Sequence, residues 1–98
     1  MSRDDALTTI REHLPELKAR FGVASIALFG STARDEATLV SDVDVLVSFA
    51  PEASAGLFTL ARLKRYLEAV LACEVDVLTP GGVHPRLREY IYQDLAYA

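Results

Sequence analysis

The chain has 98 residues, 51% of them hydrophobic and 24% charged, which allows one globular domain with a true core and excludes intrinsic disorder. Ten basic residues against fourteen acidic ones leave a net charge of −4, and this argues against broad, salt-driven binding to nucleic acid. No apolar run approaches the roughly 20 residues of a membrane helix, and no charged-then-apolar leader opens the chain.

The single cysteine, Cys73, cannot close an internal disulfide, which fits a reducing, cytoplasmic setting. Residues 1–98 read as a single domain, with no repeat, linker or low-complexity tract.

Residues 3–20 predict a helix. Leu7, Ile10, Leu14 and Leu17 recur at spacings of three and four, and Ser2 with Asp5 resembles a capping box. Pro15 predicts a kink, or a break near Leu14, and Gly22 a stop. Val23 to Phe29 is short, apolar and flanked by glycines, so it predicts a strand. Ser31 to about Glu36 predicts a short helix, and Val43 to Phe49 a buried, valine-rich strand.

After the loop at 50–56, residues 57–72 predict an amphipathic helix. Leu57, Leu60, Leu63, Leu67, Val70 and Leu71 form its inner face, with Arg62, Lys64, Arg65 and Glu68 mostly outside. Glu74 to Leu78 predicts a third strand, 79–85 a turn, and 86–95 a last helix carried by Leu87, Ile91 and Leu95. The expected order is α-β-α-β-α-β-α, an α/β fold with a small three-stranded sheet flanked by helices. The β-α-β unit makes its two strands parallel neighbours, while the short first connection suits antiparallel pairing, giving a mixed sheet.

Asp42 and Asp44 stand two apart at the front of the second strand, so both side chains fall on one face with Val43 opposite. Two close carboxylates repel, and one tends to stay protonated unless a cation lies between them. "EVDVL" repeats the pattern of "DVDVL", which brings Asp76 to the same sheet end if those strands are parallel. Three such carboxylates can hold one or two magnesium ions, or hold one and accept a proton from an attacking hydroxyl. An aspartate at a strand start often does no more than solvate the strand end. Here the count, the spacing and the preceding turn favour the chemical reading. That turn, Gly30-Ser31, follows a strand and opens a helix, where glycine allows close approach and outward amides attract anions.

Gly30-Ser31, ten residues (Thr32 to Ser41), then Asp42-Val43-Asp44 is similar to the signature of the nucleotidyltransferases of the DNA polymerase β type. With "LFGSTAR", "SDVDVLVSF" and "VDVLTPGGVHPRLREYI", nearly the whole chain resembles the minimal nucleotidyltransferases, the MNT-domain proteins. The resemblance implies that Gly30 and Ser31 hold the β- and γ-phosphates of a nucleoside triphosphate such as ATP. It implies that Asp42, Asp44 and Asp76 bind magnesium, and that an acceptor hydroxyl attacks the α-phosphate. Arg34 is a candidate phosphate contact or an ordinary surface arginine. The family usually has glycine after G-S-x-A-R, and this chain has Asp35, an acid that restricts the loop.

MNT proteins are commonly paired with HEPN-domain ribonuclease toxins, which they neutralise as antitoxins by moving AMP onto a toxin tyrosine. The resemblance thus implies a HEPN partner and no direct nucleic-acid or membrane contact. Two alternatives stand beside it: a non-catalytic antitoxin that works by contact, and a transferase acting on a small molecule of the aminoglycoside type. The open edges of a three-stranded sheet suit a homodimer or a hetero-oligomer. His84 reads as a turn residue or helix cap, Cys73 as buried and inert, and the basic residues at 62–65 as a solvated face. Tyr90, Tyr92 and Tyr97 divide between core and partner.

Overall fold

Ser2 opens the first helix, α1 (Arg3–Phe21), in a computed structural model that describes residues 1–36 and 42–98. Its hydroxyl accepts the Asp5 N–H at 3.0 Å, and Asp4 and Asp5 place negative charge at the positive end of the helix dipole. Pro15 does not break the helix. The carbonyl it leaves without a donor belongs to Arg11, and both residues are exposed, so water can take that bond. Gly22, at φ +72°, ends α1 with its N–H on the carbonyls of Leu17 and Lys18.

The chain then alternates. Strand β1 (Val23–Phe29) runs into the one-turn helix α2 (Gly30–Ala33), and β2 (Val43–Phe49) leads to α3 (Leu57–Leu71) and β3 (Val75–Leu78). A 3-10 turn (Pro80–Gly82), α4 (Pro85–Gln93) and a two-residue strand β4 (Ala96–Tyr97) complete the order. The sheet runs β3-β2-β1-β4, with β2 and β3 parallel and β1 antiparallel to both β2 and β4. The mixed α/β sheet is the one expected, widened by β4. Two residues carry too little pattern for a period-two reading to find that strand.

Strand alternation divides the core between the two faces. Val43, Val45, Val47 and Val75 share one face with Ile26 and Leu28, packed under Leu7, Ile10 and Leu17 of α1 and Leu63, Leu67 and Leu71 of α3. Complete burial of each such leucine or valine stabilises the fold by roughly 1.5–3 kcal/mol. On the other face Phe29 and Leu46 cluster with Val83 and Ile91, with Leu78 and Leu95 packed against them. That smaller cluster leaves the end of the sheet at Asp44 and Asp76 open to solvent. The helical stripes also stop sooner than periodicity suggests. Leu57 is 85% exposed and Leu87 is 52% exposed, because the first turn of α3 and the start of α4 lie beyond the sheet that would bury them.

Candidate active site

The open end of the sheet is where the acids stand. Asp44 is the second residue of β2, and Asp76 is the second residue of β3. The parallel register pairs them directly, Asp44 with Asp76, as Val43 pairs with Val75 on the buried face. Antiparallel pairing sets Phe29, the last residue of β1, opposite Asp44. Gly30 follows at once, so the strand register delivers the Gly-Ser turn to the Asp44 carboxylate.

That approach depends on glycine twice over. Gly30 has φ +72°, and a Cβ placed on it would lie 2.5 Å from Asp44 Oδ2. Ser31 is half-buried at the start of α2, and the turn is closed by Arg34 N–H on the Gly30 carbonyl (3.2 Å) and Glu36 N–H on the Ser31 carbonyl (2.8 Å). The Thr32 hydroxyl beside it is buried with no hydrogen-bond partner among the described residues. Residues 37–41, the second half of the gap between Gly-Ser and the acids, lie outside the described residues.

Burial and like charge both act on Asp44. Its carboxyl is raised from 3.8 to about 6, first by desolvation, then by the charge and hydrogen bond of Asp76, and last by the charge of Asp42. The principal like-charge neighbour is therefore Asp76 across the ladder, more than Asp42 two residues before. Asp42 sits just ahead of β2, exposed, and acts on Asp44 through space. Among the described residues, no three acidic, histidine or cysteine side chains stand in a closed ligating arrangement. Two carboxylates are paired in advance, and the third waits at the lip of the strand.

The donor set fits a hard divalent cation. All three side chains offer carboxylate oxygens, the ligands magnesium prefers, and the Asp44 carboxyl is raised by burial first and then by the like charges of Asp76 and Asp42, both of which a bound cation would counter. Asp44, Asp76 and Phe29 line a cleft of about 440 Å³, closed on one side by Leu60, Ala61 and Lys64 of α3. Lys64 is a site residue that the outward-facing reading of α3 missed. Its ammonium donates to the Val75 carbonyl and pairs with Glu68 at 3.4 Å, holding the helix to the strand that bears Asp76. The only sequence signal is its place one turn after Leu60, at the border of the apolar stripe.

Arg34 is not among the residues lining that cleft. Its guanidinium pairs with Glu36 (3.3 Å) and Asp94 (3.6 Å) and lies over the Tyr90 ring at 5.9 Å. His84 caps α4, its Nδ1 accepting the Arg86 N–H at 3.1 Å. Cys73 is half-buried, and desolvation raises its thiol, which disfavours the reactive thiolate. Tyr90, Tyr92 and Tyr97 are all exposed. No helix among the described residues is long and apolar enough to cross a membrane.

Comparison with known proteins agrees with this geometry. Residues 10–98 match the nucleotidyltransferase domain family. A candidate protein adenylyltransferase of Methanocaldococcus jannaschii is 40% identical over 89 residues, covering 90% of this chain and 89% of that protein. The protein adenylyltransferase MntA of Thermococcus cleftensis is 33% identical over 97 residues, covering 99% and 96%. The solved structure of a minimal nucleotidyltransferase superposes with a TM-score of 0.78 at 38% identity, over 98% of this chain and 95% of that one. A toxin–antitoxin complex crystallised with AMP-PNP shares the fold at a TM-score of 0.68 and 18% identity, over 99% and 72%. The chain belongs to the nucleotidyltransferase domain family and is, by fold and kinship, a minimal nucleotidyltransferase.

Proposed function

We propose that the chain is a magnesium-dependent protein adenylyltransferase that moves AMP from ATP to a tyrosine hydroxyl of a HEPN-domain toxin, and so serves as that toxin's antitoxin in the cytoplasm. The observation that carries the reading is the contact between Gly30 and Asp44. A phosphate-loop glycine and a carboxylate paired with a second carboxylate meet at one open end of a sheet. The relatives named as protein adenylyltransferases support the acceptor class, and the solved toxin–antitoxin neighbours support the partner.

In this reading Gly30 and Ser31 seat the β- and γ-phosphates, where the absence of a side chain on Gly30 lets the tail approach Asp44. Asp42, Asp44 and Asp76 would hold magnesium, which would supply positive charge against the phosphates and help lower the pKa of the acceptor hydroxyl. The hydroxyl oxygen forms a bond to the α-phosphorus as the bond from that phosphorus to the β-phosphate oxygen breaks, and pyrophosphate leaves with that electron pair. Asp76, the more exposed member of the pair, accepts the hydroxyl proton at its carboxylate. Phe29 and Leu60 exclude water from one wall of the cleft.

The test is transfer of labelled AMP from ATP to a cognate HEPN protein, compared between wild type and Asp42→Asn/Asp44→Asn. Transfer by wild type alone is expected. Equal labelling by both proteins would end the catalytic reading. Undiminished protection of cells by Asp44→Asn would show neutralisation by contact instead.

A further inference from the structure

A second cleft lies at the opposite end of the sheet from the carboxylates. It has a volume of about 380 Å³ and is lined by Arg20, Gly22, Ser54, Thr59 and Arg62, with Phe21 and Ala53 beneath them. Gly22 precedes β1 and Gly30 follows it, so the seven-residue strand sets roughly 20 Å between the glycine of this cleft and that of the transfer site, at ~3.3 Å per residue. On α3 the two clefts adjoin, with Thr59 and Arg62 lining this one and Leu60, Ala61 and Lys64 the other.

Its two cations come from α1 and α3. Arg20 lies over Phe21 (5.3 Å to the ring centre) and over Tyr66 (5.4 Å), which fixes its guanidinium on the wall. Arg62 of α3 lines the same recess. Arg20 has a counter-charge, Glu16 at 3.5 Å, with both side chains more than half exposed. An exposed pair of that kind contributes about 0–1 kcal/mol and exchanges readily for a stronger anion. Arg62 has no ion pair among the described residues. The floor is tight, because Gly22 sits at φ +72° and a Cβ placed on it would lie 2.6 Å from that of Ala53, with no room between them. Two guanidiniums and two hydroxyls in one recess, on a chain of net charge −4, form a local reversal of sign. Forked N–H donors joined by hydroxyls suit the tetrahedral oxygens of a phosphate group.

We propose that the Arg20–Arg62 cleft is a second binding site, for a phosphoryl oxyanion, separate from the transfer site. The oxyanion is a small diffusing one, inorganic phosphate or pyrophosphate, or the phosphate tail of a second nucleotide. The test is a residue-resolved NMR titration of the whole chain with phosphate, pyrophosphate and ATP in separate arms. Saturable shifts of the Gly22, Ser54 and Thr59 amides are expected, and the arm that saturates at the lowest concentration identifies the source. Arg62→Gln, an exposed substitution, is expected to weaken that response at least tenfold. It should leave shifts at Gly30 and Ser31 unchanged. Asp44→Asn is expected to leave the Gly22, Ser54 and Thr59 response intact, so a failed transferase reading and a failed second site are told apart. Shifts confined to Gly30 and Ser31, no saturation at millimolar anion, or an unchanged response in Arg62→Gln would each overturn the proposal.

Discussion

Replacing Asp44 by asparagine should make the metal-free protein more stable at neutral pH while abolishing transfer. Folding raises this carboxyl from 3.8 to about 6. Between those values the folded state holds the proton more tightly than the unfolded chain does. The contribution of Asp44 to stability is therefore complete below pH 3.8 and is lost as pH rises through about 6. A shift of about two units corresponds to about 3 kcal/mol at pH 7.5, at ~1.36 kcal/mol per unit. Asp44 is only half-buried, and solvent screening reduces this to ~1–2 kcal/mol. Asparagine keeps the shape, carries no charge and can donate a hydrogen bond to Asp76. In a chain of this size 1 kcal/mol moves Tm by about 4–8 °C. Thermal unfolding in chelator should place Asp44→Asn about 4–16 °C above wild type at pH 7.5, with the gap closing near pH 4. Added magnesium should raise the Tm of wild type and leave that of Asp44→Asn nearly unchanged. A less stable Asp44→Asn at pH 7.5, or an equal gain at both pH values, would refute the assignment of a carboxylate disfavoured by burial and like charge.

Substitutions at four further positions have expected outcomes. Gly30→Ala should lose roughly 1–2 kcal/mol to left-handed strain and, by displacing the Asp44 carboxylate, lower transfer by about 100-fold or more. Gly22→Ala has the same φ and a similar clash, with Ala53 instead, so it should lose comparable stability in urea denaturation yet keep its transfer rate. Asp35 sits at φ +59°, where its Oδ1 accepts the Arg3 N–H at 3.0 Å. Asp35→Gly should change stability by less than about 1 kcal/mol, strain relief offsetting the lost bond, whereas Asp35→Val should cost about 2 kcal/mol, read from denaturation midpoints. Thr32→Val should gain about 1 kcal/mol by removing a buried hydroxyl that has no partner among the described residues, and a loss instead would mean that the hydroxyl is hydrogen-bonded.

The sheet was legible because its strands obey one local rule each. Glycines bracket β1, valines fill β2 and β3, and the repeated D-V pattern places Asp44 and Asp76 at equal depth once the crossover makes those strands parallel. Leu57 and Leu87 were misread because periodicity shows which side of a helix is apolar and not where the neighbouring sheet ends. The alternative of a break near Leu14 fails because the penalty of Pro15 depends on whether the stranded Arg11 carbonyl meets water, a fact of tertiary position. Lys64 escaped notice for a similar reason. On a helical wheel it is one more solvated cation, and only the docking of α3 beside β3 brings it to the acidic cleft.

Asp35 joins the two levels. The family pattern favours glycine there, and the structure shows why: the backbone turns left-handed at that residue. Aspartate tolerates such a turn better than most residues because its short side chain can bond the backbone nearby. Here the bond goes to the first residue of α1, thirty-two positions earlier in the chain. A turn that glycine would leave loose is thereby tied to the helix that covers the opposite face of the sheet. The same turn presents Gly30 and Ser31 to Asp44, so its rigidity bears on the cleft. Asp35→Gly, nearly neutral for stability, should then raise KM for ATP more than it lowers kcat, because a loosened phosphate loop must be ordered when the nucleotide binds. A change confined to kcat would show that the tie between Asp35 and Arg3 acts on the chemical step and not on binding.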